Sequence, residues 1–178
     1  MNNADIAREV GISQSIVSEW LKILETLGII FYLHPYSNNT IKRVIKTPKL
    51  YFYDTGLVVY LTKWSSPQSL ENGAMNGAIL ENYTVSEIVK SYHNSGKEPF
   101  IYYYRDKDMK EIDLIMEMDG KIMPIEIKKS SMPAPQILNT FKVIEKGSTI
   151  RGKGAVLCMK QELSAFDREN YIIPISLI

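Results

Sequence analysis

The sequence has few of the residues that mark several common classes of protein. Of its 178 residues, one is cysteine and two are histidine, which excludes a disulfide framework, a cysteine zinc site and a histidine metal site. Lysine and arginine number 21 against 20 aspartate and glutamate, so no excess of positive charge marks a nucleic-acid binder. A bilayer-spanning apolar run and a G-x-x-x-x-G-K-[ST] phosphate loop are also missing. We therefore expect a cytoplasmic protein without a membrane partner.

The first fifty residues carry the pattern of a helix-turn-helix. A short helix is predicted before Gly11, and residues 13–27 place apolar side chains at helical spacing between a capping Ser13 and Gly28. Residues 29–46 then predict two strands joined by a turn at 37–39, which is the wing of a winged-helix domain. A strand at 50–53 and a helix from Thr55 follow. Because the helix that usually precedes this pair is missing, residues 1–63 are expected to form a partial winged-helix domain with its connecting strand and helix.

The second helix and the wing supply the candidate nucleic-acid contacts. The helix side chains lie where a recognition helix would enter a major groove, and the basic side chains would contact phosphates. Two glutamates, Glu19 and Glu25, share the exposed helix surface, so a domain used for protein contacts stays an alternative. Lys49 adds to the basic region just beyond the wing. The candidates are Gln14, Ser15, Ser18, Lys22, Lys42, Arg43 and Lys46.

The composition changes at the middle of the chain. Residues 64–76 are rich in serine, proline, asparagine and glycine, which predicts a linker or loop. Residues 77–178 then alternate in pattern: a helix over 77–96, a strand over 100–106, a hairpin, a helix over 134–147, and strands at 154–160 and 171–178. This order predicts a second domain, an α/β fold with a mixed sheet flanked by helices.

The hairpin segment KEIDLIMEMDGKIMPIEIKK, residues 110–129, brings two carboxylates face to face. A two-residue turn at Asp119 and Gly120 sets Asp113 opposite Glu126 in a non-hydrogen-bonded pair, where side chains are closest. Alternation predicts a polar face of Glu111, Asp113, Glu126 and Lys128 and an apolar face of Ile112, Leu114, Ile125 and Ile127. Opposed carboxylates destabilise a hairpin unless a cation separates them. A metal ion, a lysine and solvent are the candidates.

Glu81 adds a third carboxylate from the helix predicted at 77–96. It lies in the middle of the apolar face, flanked by Val85 and Ile88 on the helical wheel, where an unpaired carboxylate would be costly. Packing of this helix on the hairpin would bring Glu81 to Asp113 and Glu126. Three carboxylates supply the hard oxygen ligands that Mg²⁺ binds. For Glu111 and Lys128, a cross-strand ion pair is the alternative.

Glu81, Asp113 and the Glu-x-Lys of IEIKK resemble the PD-(D/E)XK nuclease superfamily, although Ile112 stands where the motif has proline. The resemblance implies a restriction-endonuclease-like fold and phosphodiester hydrolysis that depends on Mg²⁺ or Mn²⁺. It also implies that Glu81, Asp113 and Glu126 are catalytic metal ligands. Lys128 would be the catalytic group that orients water or stabilises the negative phosphorus centre.

Longer stretches are similar to the C-terminal portion of a prokaryotic AAA+-type ATPase family. They are KRVIKTPKLYFYDTGL, GAILENYTVSEIVKS, YYYRDKDMKEIDLIM and IPIEIKKS, the last read loosely. The resemblance implies a fragment that follows an ATPase domain and works at DNA. Three functions stay open: a magnesium-dependent nuclease, a catalytically silent DNA-binding or regulatory module, and a protein-interaction module that assembles ATPase subunits, for instance as a homo-oligomer.

Overall fold

The computed structural model describes residues 2–36, 46–146 and 149–178. Its α-helices are α1 (Asn3–Val10), α2 (Gln14–Thr26), α3 (Thr55–Leu61), α4 (Pro67–Asn72) and α5 (Asn76–Asn94). Its strands are β1 (Ile30–Leu33), β2 (Lys49–Phe52), β3 (Ile101–Arg105), β4 (Glu111–Met118), β5 (Lys121–Lys128), β6 (Ile150–Arg151), β7 (Gly154–Cys158), β8 (Ser164–Ala165) and β9 (Asn170–Pro174). Short 3₁₀ helices span Pro135–Asn139, Phe141–Lys146 and Ile175–Leu177.

The larger sheet has seven strands of mixed direction. Its order is β3-β4-β5-β7-β9-β8, and β6 pairs with the first part of β5. The strands β3, β4 and β5 are antiparallel neighbours, whereas β7 runs parallel to both β5 and β9, and β8 is antiparallel to β9. Together with α5 and the N-terminal helices, this sheet confirms the predicted α/β class, a mixed sheet flanked by helices and preceded by a helical part.

Apolar side chains cover both faces of the sheet. On one face, Val85 and Val89 of α5 pack with Leu114 of β4 in the largest buried cluster of the described residues. On the other face, Phe141 and Ile144 of the second 3₁₀ helix pack on the sheet. Burial of one such side chain contributes about 1.5–3 kcal/mol, so these two layers fix the hairpin of β4 and β5 from both sides.

The two-stranded sheet of β1 and β2 shares the core of the larger sheet. Phe31 of β1 and Tyr51 of β2 belong to the same buried cluster as α5. Beyond β1, the backbone runs beside β3, where the Tyr103 N–H donates to the His34 carbonyl at 3.0 Å and the Tyr36 N–H donates to the Tyr103 carbonyl at 2.7 Å. The described part of the N-terminal region is therefore attached to the larger sheet, and β2 lies beside α5.

The two predicted N-terminal helices are present with their predicted caps. The Ser13 hydroxyl accepts the Ile16 N–H at 3.3 Å, and Gly11 ends α1 with a φ of 77°, a left-handed value that favours glycine. The described partner of β1 is β2. The predicted turn of the wing and its second strand up to residue 45 lie outside the described residues.

Three segments differ from the pattern predicted for them. The predicted linker contains α4, which Ser66 and Ser69 cap reciprocally with two 3.1 Å hydrogen bonds. Two 3₁₀ helices replace the helix predicted at 134–147, and there the Thr140 hydroxyl donates to the Ile137 carbonyl at 2.8 Å, a bond that competes with an α-helix. The last predicted strand ends at Pro174. The division into domains stays a prediction.

Within the described ranges, every helix is too short or too polar to cross a lipid bilayer.

Candidate functional site

β4 and β5 pair in the register that the Asp-Gly turn predicts. Leu114 lies opposite Ile125 and begins a run of pairs that ends at the turn. Asp119 and Gly120 have φ values of 53° and 71°, and positive φ at both central residues is the mark of the type I′ turn that hairpins favour. The register prediction is confirmed, and Asp113 lies one residue beyond its last pair.

β4 is irregular at Asp113, and the sequence did not predict this. The register between β3 and β4 shifts between Tyr102 and Tyr104, so that Asp113 and Leu114 together oppose a single residue of β3. Such a bulge interrupts the alternation of side chains. Ile112 consequently packs on the face of the 3₁₀ helices while Leu114 packs on α5. The predicted apolar face that joined Ile112 to Leu114 is therefore wrong.

The predicted polar face is also divided. Glu111 forms an ion pair with Lys49 of β2, on the side of the sheet that α5 covers. Glu126 shares the single hydroxyl proton of Thr140, at 3.0 Å, with the Ile137 carbonyl, on the side that the 3₁₀ helices cover. The four residues of the predicted polar face thus belong to two separate groups of charges.

The first group joins Asp113 and Glu126, and we call it the Asp113–Glu126 pair. The ammonium of Lys128 lies between the two carboxylates, 3.1 Å from Asp113 Oδ2 and 2.6 Å from Glu126 Oε2. Asp113 Oδ2 also accepts the Ile127 N–H at 2.8 Å. Of the three candidates for a cation between the carboxylates, the lysine is the one that occupies this position in the structure.

Burial and the charge of Asp113 raise the pKa of Glu126 to about 7, although Lys128 and Thr140 act in the opposite direction. The Glu126 side chain is only 5% exposed. Burial lowers the pKa of Lys128, but the charges of Asp113 and Glu126 outweigh it and leave that pKa raised. Two carboxylates therefore share one ammonium, and the excess negative charge is relieved by a proton on Glu126 when the pH falls below neutrality.

The second group surrounds Lys49 and holds the other two carboxylates. We call it the Lys49 network, made of Lys49, Tyr51, Glu81, Arg105 and Glu111. Lys49 Nζ lies 2.8 Å from Glu81 Oε1 and 2.5 Å from Glu111 Oε1. Glu81 Oε1 also accepts the Tyr51 hydroxyl at 2.6 Å. Arg105 binds the second oxygen of Glu111 through Nε at 2.7 Å and Nη2 at 2.5 Å.

The Lys49 network is balanced in charge, with two carboxylates and two cations. Burial lowers the pKa of Lys49, but Glu81 and Glu111 outweigh it and the pKa is raised. Burial, followed by the charge of Glu81, raises the pKa of the Tyr51 hydroxyl, which therefore donates as a neutral phenol. No proton needs to be gained for this network to be neutral.

The structure brings together three of the four predicted catalytic residues, Asp113, Glu126 and Lys128. Glu81 lies on the face of α5 that carries Val85, as the helical spacing predicts, but its carboxylate binds Lys49 and Tyr51. A set of three or more histidine, cysteine, aspartate or glutamate side chains placed to hold a metal ion is not found among residues 2–36, 46–146 and 149–178.

The Asp113–Glu126 pair nevertheless fits a divalent cation of the magnesium type. Mg²⁺ keeps several waters and is commonly bound by one or two carboxylates together with substrate phosphates. Two carboxylate oxygens that converge on one ammonium supply the same kind of oxygen ligand to a single position.

Sequence reasoning missed the partners of these carboxylates. Lys49 was expected to contact phosphate, yet it is 17% exposed and pairs with Glu81. Lys49 and Tyr51 stand two residues apart on β2, so alternation alone places them on one face, and this signal was available. No comparable signal marks Arg105 or Thr140.

The predicted nucleic-acid contacts fall into three groups. Ser18 is half-buried, and its hydroxyl accepts from the Asn3 amide at 2.8 Å and donates to the Gln14 carbonyl at 3.0 Å. Lys42 and Arg43 lie outside the described residues. The other candidates are exposed: Gln14, Ser15, Lys22 and Lys46. DNA contact by these residues stays a prediction.

The same helix exposes an apolar row that we call the α2 stripe. It consists of Ile16, Trp20 and Ile23, continued by Leu27 at the helix end, and these side chains are 38–66% exposed. Val17, which lies roughly a quarter of the way around the helix from this row, is buried. The apolar residues of α2 therefore serve two surfaces, and only one of them packs against the described protein.

Comparison with known families assigns both halves of the chain. Residues 76–178 match the family described as Domain of unknown function (DUF4143). The chain belongs to the DUF4143 family. Residues 1–68 match a second family, Domain of unknown function (DUF8612). The Asp113–Glu126 pair thus lies within the DUF4143 match, whereas Lys49 and Tyr51 come from the region that matches DUF8612.

Two curated relatives are mycobacterial proteins without a stated activity. The chain is 29% identical over 133 residues to uncharacterized protein Mb2031c of Mycobacterium bovis. It matches uncharacterized protein Rv2008c of Mycobacterium tuberculosis with the same identity over the same length. The aligned residues are 75% of this chain and 29% of each relative, so the chain spans less than a third of their length. No solved structure matches.

Proposed function

We propose that this DUF4143 protein hydrolyses phosphodiester bonds of DNA, with Mg²⁺ or Mn²⁺ held by the Asp113–Glu126 pair. The observation that carries the proposal is the convergence of both carboxylates on the ammonium of Lys128. It supports a site that accepts cationic charge, because the carboxylates outnumber the ammonium that they share. The raised pKa of Glu126 supports the same conclusion.

In the proposed site, each side chain of the first group has a role. Asp113 and Glu126 hold the divalent cation, which lowers the pKa of bound water and neutralises charge on the phosphodiester. The Ile127 N–H fixes Asp113, and the Thr140 hydroxyl fixes Glu126. Lys128, 37% exposed on a flexible stem, turns its ammonium to the phosphate oxygens and stabilises their developing charge.

Glu81 is the carboxylate that the resemblance to PD-(D/E)XK nucleases adds to the ligand set. The structure has it bound to Lys49 and Tyr51, so it becomes a ligand only if these contacts open. The restriction-endonuclease-like fold is part of the same proposal, and the mixed sheet with α5 packed on it supports that fold.

The wider role that we propose is that of a C-terminal module in a cytoplasmic AAA+-type ATPase that acts at DNA. The sequence similarity to such C-terminal regions supports it, as do the exposed Lys22 of α2 and Lys46 before β2, which suit phosphate contacts. Nucleotide hydrolysis is assigned to no residue of this chain.

Cleavage of supercoiled plasmid DNA tests the enzymatic proposal. We expect the purified chain to nick the plasmid with Mg²⁺ or Mn²⁺ and to be inactive in EDTA. Glu126→Gln should lower the rate by at least about 100-fold, the cost typical for loss of a group that stabilises the transition state.

The matched control is Glu87→Gln on α5, whose carboxylate binds Lys90 at the surface. It should cleave as the unchanged protein does. Cleavage that survives Glu126→Gln would contradict the proposal.

The α2 stripe favours a second candidate function, a catalytically silent module that binds a protein partner. Contiguous exposed apolar surface is a mark of protein–protein interaction sites. If this function is the correct one, Trp20→Lys will convert an oligomer to a monomer in analytical ultracentrifugation while DNA cleavage is absent throughout. If DNA binds with strong salt dependence but is not cut, the module is instead a silent DNA-binding one.

A further inference from the structure

The α2 stripe has the spacing of a contact between two helices. Its four side chains follow one another at intervals of four, three and four residues, the alternation that keeps an apolar row facing a second helix. All four are 38–66% exposed, so the surface that this spacing fits is open. A helix in the major groove presents polar and basic side chains to the bases and phosphates. The apolar row therefore fits a helix of a protein partner better than it fits DNA.

The stripe carries both a projecting side chain and a recess that can receive one. Trp20 is 57% exposed. One turn further along the helix, a groove of about 210 Å³ is lined by Lys22, Ile23, Thr26 and Leu27. This volume suits an indole ring, since a cavity of about 150 Å³ already binds benzene. Because helical side chains lean toward the N-terminus, Trp20 leans away from the groove of its own helix.

A second copy of the chain can fill this groove. When two α2 helices run antiparallel around a two-fold axis, Trp20 of each copy lies beside Ile23 of the other and meets the groove there. One arrangement therefore fills both grooves, as a self-complementary interface requires. β1 follows the C-terminal end of α2, and a helix of this length spans roughly 20 Å. Antiparallel pairing thus places the larger sheets of the two copies at opposite ends of the helix pair.

The charges beside the stripe fit the same arrangement. Glu19 and Lys22 are both exposed, and their separation of three residues places them on one side of the stripe. In the antiparallel pair, Glu19 of one copy comes beside Lys22 of the other, and the two-fold axis repeats this contact. Each copy therefore offers the other a complementary pair of charges.

The area of the stripe predicts a weak dimer. If a fully exposed apolar side chain of this size presents roughly 150–200 Å², the four exposed fractions leave roughly 300–450 Å² of each copy in water. Two copies would then bury roughly 600–900 Å² from the stripe, and the flanking polar side chains add to this area. Interfaces below about 1,200 Å² are the small ones among specific contacts. We therefore expect association at micromolar concentrations.

We propose that the α2 stripe is the interface of a two-fold dimer of this chain, in which Trp20 of each copy packs against Ile23 and Leu27 of the other. The dimer goes beyond the proposed hydrolysis, because it needs no metal ion at the Asp113–Glu126 pair. It assigns α2 to the assembly of the protein.

Analytical ultracentrifugation of the purified chain tests the dimer. The measurement is made without DNA, because Lys22 is also a candidate phosphate contact, and over roughly 1–200 µM protein, where a micromolar dimer dissociates. Ile23→Lys should weaken association at least about 30-fold, because it places a charge in the groove that Trp20 enters. Ile23 is already 55% exposed, so the variant should fold, and circular dichroism checks this.

The matched control is Gln14→Lys, which adds the same charge to α2. Gln14 is exposed and lies on the far side of the helix from the stripe, so this variant should associate as the unchanged protein does. Equal weakening in Gln14→Lys and Ile23→Lys would overturn the proposal, since a general charge effect would then explain both.

Exchange of the flanking charges tests the antiparallel arrangement. Glu19→Lys and Lys22→Glu should each weaken association by about threefold to tenfold, since each brings like charges together at two symmetry-related contacts. The double variant should restore the affinity, because opposite charges then meet again across the interface. A double variant no tighter than the single ones would contradict this pairing of the two helices.

Two further results would overturn the dimer. A chain that stays monomeric over the whole concentration range would leave the stripe to a different partner. A dimer that Ile23→Lys does not weaken would have its interface elsewhere. Glu126→Gln should dimerise as the unchanged protein does, so that failure of the dimer and failure of the proposed hydrolysis are separate results.

Discussion

The two charge groups of this protein have the same number of carboxylates but differ in their cations. In the Lys49 network, Glu81 and Glu111 are matched by Lys49 and Arg105. In the Asp113–Glu126 pair, two carboxylates share the single ammonium of Lys128. The network therefore has no net charge, whereas the pair has a net charge of −1 and its two carboxylates are more deeply buried than those of the network.

This difference separates a structural group from one that can accept a ligand. A buried ion pair with matched charges contributes to a fixed arrangement, and loss of one partner is costly. A buried pair of like charges favours whatever positive charge arrives, either a proton or a metal ion. The preference for a proton appears as the raised pKa of Glu126. The preference for a metal ion is the basis of the proposed divalent-cation site.

The largest effect should be a decrease in the free energy of unfolding as the pH rises, caused by deprotonation of Glu126. Its pKa rises from a usual 4.5 to about 7 in the folded protein, so between these values the folded state holds more protons than the unfolded state. The contribution is present below pH 4.5 and is lost as the pH rises through 7. We expect urea unfolding in EDTA to show a decrease of roughly 3 kcal/mol, since each pKa unit corresponds to about 1.4 kcal/mol.

Glu126→Gln should remove most of this pH dependence, because glutamine does not titrate. Glu87→Gln, which changes a surface carboxylate of α5, should retain it. A free energy of unfolding that is as pH-dependent in Glu126→Gln as in the unchanged protein would remove the distinction between the two groups.

Loss of the cation from the balanced group should have the next largest effect. Lys49→Met leaves Glu81 and Glu111 half-buried with one fewer counter-charge, and we expect the free energy of unfolding to fall by about 2 kcal/mol. Lys90→Met removes the partner of Glu87 in an ion pair whose side chains are 38% and 32% exposed, more than those of Lys49 and Glu81, and should cost about 0.5 kcal/mol or less. Urea unfolding at pH 7 measures both, and equal losses would mean that the Lys49 network is no more than a surface ion pair.

The smallest effect should come from Thr140, whose hydroxyl supports the ionised form of Glu126. Thr140→Val removes this hydrogen bond and should cost about 1 kcal/mol above pH 7, with a smaller loss at pH 5. Thr140→Ser keeps a hydroxyl and should behave like the unchanged protein. If Thr140→Val costs the same at both pH values, the hydroxyl does not act on the charge of Glu126.

The hairpin was predictable because its determinants are local. The turn at Asp119 and Gly120 fixes the register, and the opposition of Asp113 and Glu126 follows by counting from the turn. The helical spacing around Glu81 is local too, which is why its face of α5 was also predicted. The α/β class followed from the order of these local patterns.

The departures depend on contacts between distant parts of the chain. The bulge at Asp113 comes from the pairing of β4 with β3, and no hairpin rule contains it. The contact of Lys49 with Glu111 joins residues that are far apart in sequence, so the carboxylates could be predicted but not their division between two groups of charges. The 3₁₀ helices around Thr140 likewise reflect a side-chain hydrogen bond that a helical periodicity does not reveal.

Anomalous scattering from crystals soaked in Mn²⁺ tests the central claim most directly. The claim is that the Asp113–Glu126 pair accepts a divalent cation and that the Lys49 network does not. We predict one anomalous peak in contact with the carboxylates of Asp113 and Glu126, with the Lys128 ammonium displaced and Lys49 still bound to Glu81. Absence of a peak at the pair, with Lys128 still between the two carboxylates, would contradict the claim.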